Sequence, residues 1–126
     1  MAYFIGANYS GTDISQEFIK KGMIGIGFDD SEAQPIHRLF NNILCGDLVV
    51  IKAYSPSKGL YIKAVGVCTN STCFNHPKYK FYKEVRWLWE GNELLGIIRD
   101  SYTNMRTGTI YQELNETILR KVVNLI

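Results

Sequence analysis

Trp87 and Trp89 stand two apart in a stretch where aromatic residues interleave with cations: Lys78, Tyr79, Lys80, Phe81, Tyr82, Lys83 and Arg86. That mixture suits nucleic acid, because an aromatic face stacks on a base while a cation meets a phosphate. It equally describes a strand with one solvated and one buried face. On a strand, residues two apart point the same way. Val85, Trp87 and Trp89 are therefore expected on one face and Leu88 on the other, with the tryptophans either filling a core or stacking on a ligand. A second pair, Asn8-Tyr9, falls in a turn. An asparagine amide both donates and accepts, so such a pair could read a base edge while stacking on it; the plainer reading is a turn asparagine beside a surface tyrosine. Lys52, Lys63, Arg86, Arg99 and Arg106 are candidate phosphate contacts, which give affinity but little sequence information. Each, taken singly, also reads as a solvated surface charge.

Metal and catalytic chemistry find weaker footing. Cys68, Cys73 and His76 are spaced C-x4-C-x2-H, with Cys45 or His37 as a fourth ligand to complete a zinc site. Structural zinc sites more often show paired C-x2-C knuckles, and none occurs here. No metal and no cofactor are expected, and Cys45 and Cys68 are read as small apolar packers. The two histidines, His37 and His76, have no evident nucleophile beside them in sequence. Gly25-Ile26-Gly27 lacks the third glycine and following helix of a dinucleotide fingerprint, and there is no P-loop. The carboxylates Asp29, Asp30 and Glu32 read as a polar loop. No catalytic residue is assigned.

The chain has 126 residues and a net charge of +2. That length fits one domain, residues 1–126, with its own core. The small charge argues against a protein that coats nucleic acid by electrostatics alone, but not against one that reads a single base in a pocket. Three cysteines and no signal-like leader predict a reducing, cytoplasmic setting. No apolar run approaches the ~20 residues that span a bilayer, so no membrane partner is expected.

The elements that must position these side chains follow from the pattern. Tyr3 to Ala7 reads as a strand ended by Asn8, Ser10 and Gly11. Asp13 with Gln16 resembles a capping box opening a helix with Ile14 and Phe18 on one face, stopped at Gly22. Met23 to Phe28 is a short strand whose glycines mark a close approach of backbone or ligand. Pro35 opens a short helix with Ile36, Leu39 and Phe40 as its apolar side. Leu48–Tyr54 and Leu60–Cys68 form a hairpin around residues 55–59. Residues 70–77 read as a polar loop. Tyr79–Glu90 is the longest strand, Gly91-Asn92 a turn, and Leu94–Ile98 its return. Residues 99–109 are loop, and 109–111 a last short strand. Asn115 caps a final helix with Leu114 stapled onto Leu119, and Ile118, Leu119, Val122, Val123 and Ile126 are its buried stripe. The sum is an α+β domain: a small, mainly antiparallel, twisted β-barrel with two or three flanking helices.

Five short segments in this order are Tyr3-Phe4-Ile5, Gly25-Ile26-Gly27-Phe28, Gly46-Asp47-Leu48-Val49-Val50, Val65-Gly66-Val67 and Val85-Arg86-Trp87. Together they resemble the PUA-like superfamily, and within it the EVE and YTH branches. The tryptophan often seen in the first strand of EVE domains is absent. The resemblance implies a reader of modified bases, such as the DNA-reading part of modification-dependent restriction systems. There an extruded base sits in an aromatic-lined pocket near the ends of the early strands. By that analogy Asn8, Tyr9, Ile26, Phe28 and Tyr54 line the pocket, and Trp87 and Trp89 match its aromatic content. The expectation is a non-catalytic module that binds nucleic acid, DNA in first place, with a defence role by analogy alone. Two alternatives stay open: a protein that sequesters a free nucleotide or nucleotide signal, and a protein-interaction domain. The chain could also be one piece of a larger protein or complex.

Overall fold

The computed structural model describes residues 1–27 and 34–126. Its centre is the hairpin of β5 (Leu48–Ser55) and β6 (Gly59–Cys68). Both strands are rich in β-branched and aromatic residues, which pack well on a pleated surface. β1 (Ala2–Gly6) lies parallel to β5, in register from Ala2 opposite Leu48 to Gly6 opposite Lys52. Parallel strands need a long crossover. Here it carries a small hairpin, β2 (Asn8–Tyr9) and β3 (Thr12–Asp13), then α1 (Ser15–Lys21), β4 (Met23–Ile26) and α2 (Gln34–Asn41). β7 (Phe74–His76), β8 (Lys80–Gly96), β9 (Ile110–Gln112) and α3 (Glu116–Val123) follow. The sheet runs β4-β8-β6-β5-β1-β9, with β7 also paired to β8. The result is α+β: a strongly curled mixed sheet forming a half-barrel, with three helices among the described residues.

The two sheet faces carry separate cores. One holds Tyr3, Ile5, Val49, Ile51, Ile24 and Val85 together with Phe18 of α1 and Phe40 of α2. β4 and β1 stand far apart in the sheet order yet meet in this cluster, so the sheet curls around it. The other face holds Phe4, Val50, Ile62, Val65 and Tyr111 under Ile118 and Val122 of α3. Among the described residues no helix is long and apolar enough to cross a membrane.

Several elements differ from the sequence expectation, each for a local reason. Gly91-Asn92 is not a turn. β8 continues through it to Gly96, and the two residues are taken up in a bulge opposite Lys63, between the pairs Ala64–Glu90 and Ile62–Glu93. A second bulge places Gly66 opposite Trp87 and Val65 opposite Trp89, leaving Leu88 without a partner. The two tryptophans therefore point to opposite faces, Trp87 with the first core and Trp89 with the second. The Asp13-Gln16 capping box does not form: Asp13 accepts the Ser15 N–H at 2.8 Å, and the N-cap position is Ile14. Gly22 does end α1, in the left-handed region at φ 64°. Residues 70–77 contain β7, and 99–109 contain a 3-10 turn, Met105–Thr107. Asn115 caps α3 by accepting the Ile118 N–H at 3.1 Å. Only Ile118 and Val122 of its apolar residues are fully buried, while Leu114, Val123 and Ile126 are about half exposed. Cys68 is buried, but Cys45 is exposed.

Candidate functional site

The ends of β1 and β4, Gly6 and Ile26, line one cavity together with Asn8, Tyr9 and Ser10 of the β2–β3 hairpin. Its two-residue loop, Ser10-Gly11, has φ of 50° and 84°. Positive φ at both central residues is the type I′ geometry that matches strand twist in tight hairpins. The Asn8 carboxamide oxygen accepts the Gly11 N–H at 2.9 Å and closes the turn.

Two adjoining cavities open there, sharing Gly6 and Asn8 in their walls. The first, about 220 Å³, is walled by Asn8, Tyr9, Ser10, Gly25, Ile26 and Gly27. The glycine spacing in β4 is explained by rings rather than by phosphate. A Cβ on Gly27 would lie 2.6 Å from the Tyr9 ring, and one on Gly25 would lie 3.0 Å from the Tyr79 Cβ. The Tyr9 and Tyr79 rings meet edge to face at 5.2 Å, a favoured aromatic geometry. The Tyr9 hydroxyl is buried and has no hydrogen-bond partner among the described residues. Burial, and then Tyr79 beside it, push its pKa up to about 12, so it stays a neutral donor at any physiological pH.

The second cavity, about 280 Å³, is walled by Asn8, Asp13, Lys52, Tyr54, Lys63 and Thr107. Lys63 is the extra residue where β6 bulges against β5, between the pairs Ile51–Ala64 and Lys52–Ile62. Bulges re-aim side chains, and the Lys63 ammonium meets the Asp13 carboxylate at 2.6 Å. Burial pushes the Asp13 carboxyl up, but the hydrogen bonds from Lys63 and Ser15 outweigh it and leave the pKa below its ordinary value. Lys52 is only 5% exposed. Its ammonium donates to the backbone carbonyls of Arg106, at 3.0 Å, and Gly108, and lies 5.5 Å from the Tyr111 ring centre. Burial lowers its pKa to about 8. A third recess, about 230 Å³ and more open, shares Ala53, Tyr54 and Lys63 with the second and reaches Tyr61 and Asn92.

The structure thus brings together Asn8, Tyr9, Ile26, Tyr54, Lys52 and Lys63 of the residues singled out in the sequence. Phe28 lies outside the described residues, as do Asp29, Asp30 and Glu32. Trp87 lines neither cavity; its indole N–H donates to the Phe18 carbonyl at 3.1 Å and ties β8 to α1. Trp89 packs over Gly91 in the second core. Arg86 and Arg99 are exposed and away from both cavities. Arg106 is 1% exposed and fully engaged. Its guanidinium donates to Asp100 at 2.7 and 3.0 Å and to Glu113 at 2.7 and 3.0 Å, so it anchors the 100–113 segment rather than presenting to a phosphate. Its partner Arg106 holds the Asp100 carboxyl well below the usual carboxylate range.

Among the described residues no group of three His, Cys, Asp or Glu side chains could hold a metal ion. The thiols of Cys45 and Cys68 donate to the Thr69 and Asn70 carbonyls, and His76 Nδ1 accepts the backbone N–H groups of Lys78 and Tyr79. Sequence reasoning missed Asp13 and Thr107 as cavity walls. Asp13 carries the sequence signature of a helix cap, and nothing in the local sequence marks Thr107. No protein-family model matches the chain, and no curated protein matches it in sequence.

Proposed function

We propose that this protein is a base-binding module of PUA-like, EVE/YTH-like architecture, its half-barrel sheet being the core of a small twisted barrel. A single base of a nucleic acid, modified or flipped out of its stack, enters the Tyr9-walled cavity. The observation that carries this reading is the pairing of an aromatic-walled recess with a lysine-walled recess across Asn8. Each is smaller than the roughly 300–1,000 Å³ of a drug-sized site, which suits one ring system and one neighbouring group better than a whole dinucleotide. Tyr9 offers a face or edge to the base, its buried hydroxyl has no partner among the described residues, and Asn8 has no described partner for its NH2 donors, which suit a base edge. A flipped base must be unstacked, and contact with an aromatic wall offsets part of that cost. The proposed partner is DNA, with the site acting by binding and not by catalysis.

A specific observation favours a second reading, capture of a free nucleotide. Lys52, Lys83 and Arg106 are buried and the net charge is only +2, so there is no strong basic excess for a track along a polymer. The two readings separate by salt. Binding to a strand weakens steeply as salt rises because counterions are released, whereas a single nucleotide releases few.

The test is binding of labelled DNA oligonucleotides, unmodified or carrying methylated adenine or modified cytosine, across a salt series. One modified oligonucleotide should bind best. Tyr9→Ala should weaken it about ten- to hundredfold, the range of about 1–3 kcal/mol for losing one base–aromatic contact. If no oligonucleotide binds at any salt concentration, the strand-binding reading is wrong and free nucleotides are the next ligands to titrate.

A further inference from the structure

Lys52 is the buried cation that the base-binding reading leaves unexplained. An ammonium carries three N–H donors, and Lys52 uses two, on the carbonyls of Arg106 and Gly108. Among the described residues no carboxylate pairs with it. A buried charge without a counter-charge is costly, and this one forms part of a cavity wall. Lys63 and Asp13, also in its wall, neutralise each other, so the net charge of the lining is that of Lys52. Asn8 adds donors, because its oxygen is taken by Gly11 and its NH2 group has no partner among the described residues. The wall is thus positive and rich in donors.

We propose that this cavity is a phosphate subsite: it takes one phosphate group of a nucleotide whose base occupies the adjoining Tyr9 cavity. Lys52 and Lys63 would donate to the phosphate oxygens as charge-assisted hydrogen bonds, and the Asn8 amide would bridge the two ends of the ligand. The base end of this assignment rests on the reading above. The phosphate end rests on Lys52 and stands without it. Asp13 sets the strength of the site, since its carboxylate competes with the phosphate for Lys63.

Calorimetric titration of the whole chain with inorganic phosphate, methylated deoxyadenosine and its 5′-monophosphate tests the assignment. The monophosphate should bind about tenfold or more tighter than the nucleoside, the worth of one charge-assisted hydrogen bond. Lys52→Met should erase that gain, and Asp13→Asn, which frees Lys63, should enlarge it. Equal affinity for nucleoside and monophosphate in the unmutated chain overturns the subsite, and so does a gain that survives Lys52→Met. Should Lys52→Met not fold, Asp13→Asn decides: an unchanged or smaller gain overturns the subsite. Phosphate and monophosphate binding equally, with no binding of the nucleoside, would instead remove the base reading and leave the subsite standing. No binding of any of the three overturns the subsite, and overturns the base reading for methylated adenine.

Discussion

Two buried cations sit within a few residues of each other in space and are treated in opposite ways. Arg106 is locked between Asp100 and Glu113, with Asn115 donating to Asp100 at 2.8 Å behind it. Every charge there has a partner. Lys52 reaches the same segment, donating to the Arg106 carbonyl, but meets only neutral oxygens and faces a cavity. The contrast separates scaffold from site. A matched buried ion pair fixes one conformation of the chain, and an unmatched ion beside an opening is a charge held ready for something else. Lys83 shows that burial alone is not the criterion. It is 0% exposed and, among the described residues, also bonds only carbonyls, those of Asn41 and Ile43, but it walls none of the cavities at the strand ends. It fastens the end of α2 to β8.

The contrast breaks most visibly at Arg106. Replacing it by Ala would leave Glu113, 2% exposed, as an unpaired buried carboxylate. Removing one partner of a buried pair costs about 3–5 kcal/mol, which for a domain this size is a large part of its stability. Urea unfolding should show that loss, and because the 100–113 segment walls the Lys52 cavity, ligand binding should fall with it. A loss under about 1 kcal/mol would mean that the ion pairs are not what holds this segment.

Lys52 gives the next largest effect, read as a pH dependence. Its folded pKa of about 8 lies below its ordinary 10.5. Between those values the unfolded chain binds the proton that the folded chain has released, so stability rises with pH through this window. Below about pH 8 both states are protonated and the full cost of burying the charge is present. Above pH 10 the trend is opposed, because Tyr9 stays protonated when folded, with a pKa of about 12, while the unfolded tyrosine ionises. From pH 8 to pH 10 Lys52 alone should contribute a gain on the order of 2 kcal/mol; Lys83, also lowered by burial, adds to it, and Cys68, Tyr79 and Tyr111, raised by burial, work against it. Lys52→Met should flatten that slope, and should cost little stability at pH 7 because it also removes an unmatched charge. A slope that persists in Lys52→Met would show that another group carries it.

How far the sequence announced all this depends on whether the signal was local. The β5–β6 hairpin, the Gly22 stop and the Asn115 cap are legible because each is dictated by residues within one turn or one strand. Asn8, Tyr9, Ile26, Tyr54, Lys52 and Lys63 were found together because strand ends converge in a curled sheet. The tryptophan pair was misread because a bulge is set by the neighbouring strand's register, and no feature of Trp87-Leu88-Trp89 itself encodes it. Gly91-Asn92 has turn chemistry, yet β6 on one side keeps β8 extended through it. Arg106 reads as a surface cation in sequence because its carboxylates, six and seven residues away, share no helix or strand with it. The burial that separates Lys52 from an ordinary surface lysine comes from Tyr111 and the 106–108 carbonyls, which only the fold brings near.

The smallest effect tests whether the Arg106 cluster acts as one unit. Asn115 has two separate duties: its oxygen caps α3 through the Ile118 N–H, and its NH2 group donates to Asp100. Loss of an N-cap costs about 1 kcal/mol. Asn115→Asp keeps the cap and turns the donor into a carboxylate facing Asp100. If the Arg106 cluster is a cooperative network, Asn115→Asp should destabilise at least as much as Asn115→Ala at pH 7, despite retaining the cap and a favourable charge at a helix N-terminus. If the cap alone matters, Asn115→Asp should match the unmutated chain. The measurement is the pair of urea midpoints. In the network case, lowering the pH should bring the two variants together as the added carboxylate is protonated, while Asp100, held ionised by Arg106, stays charged longest.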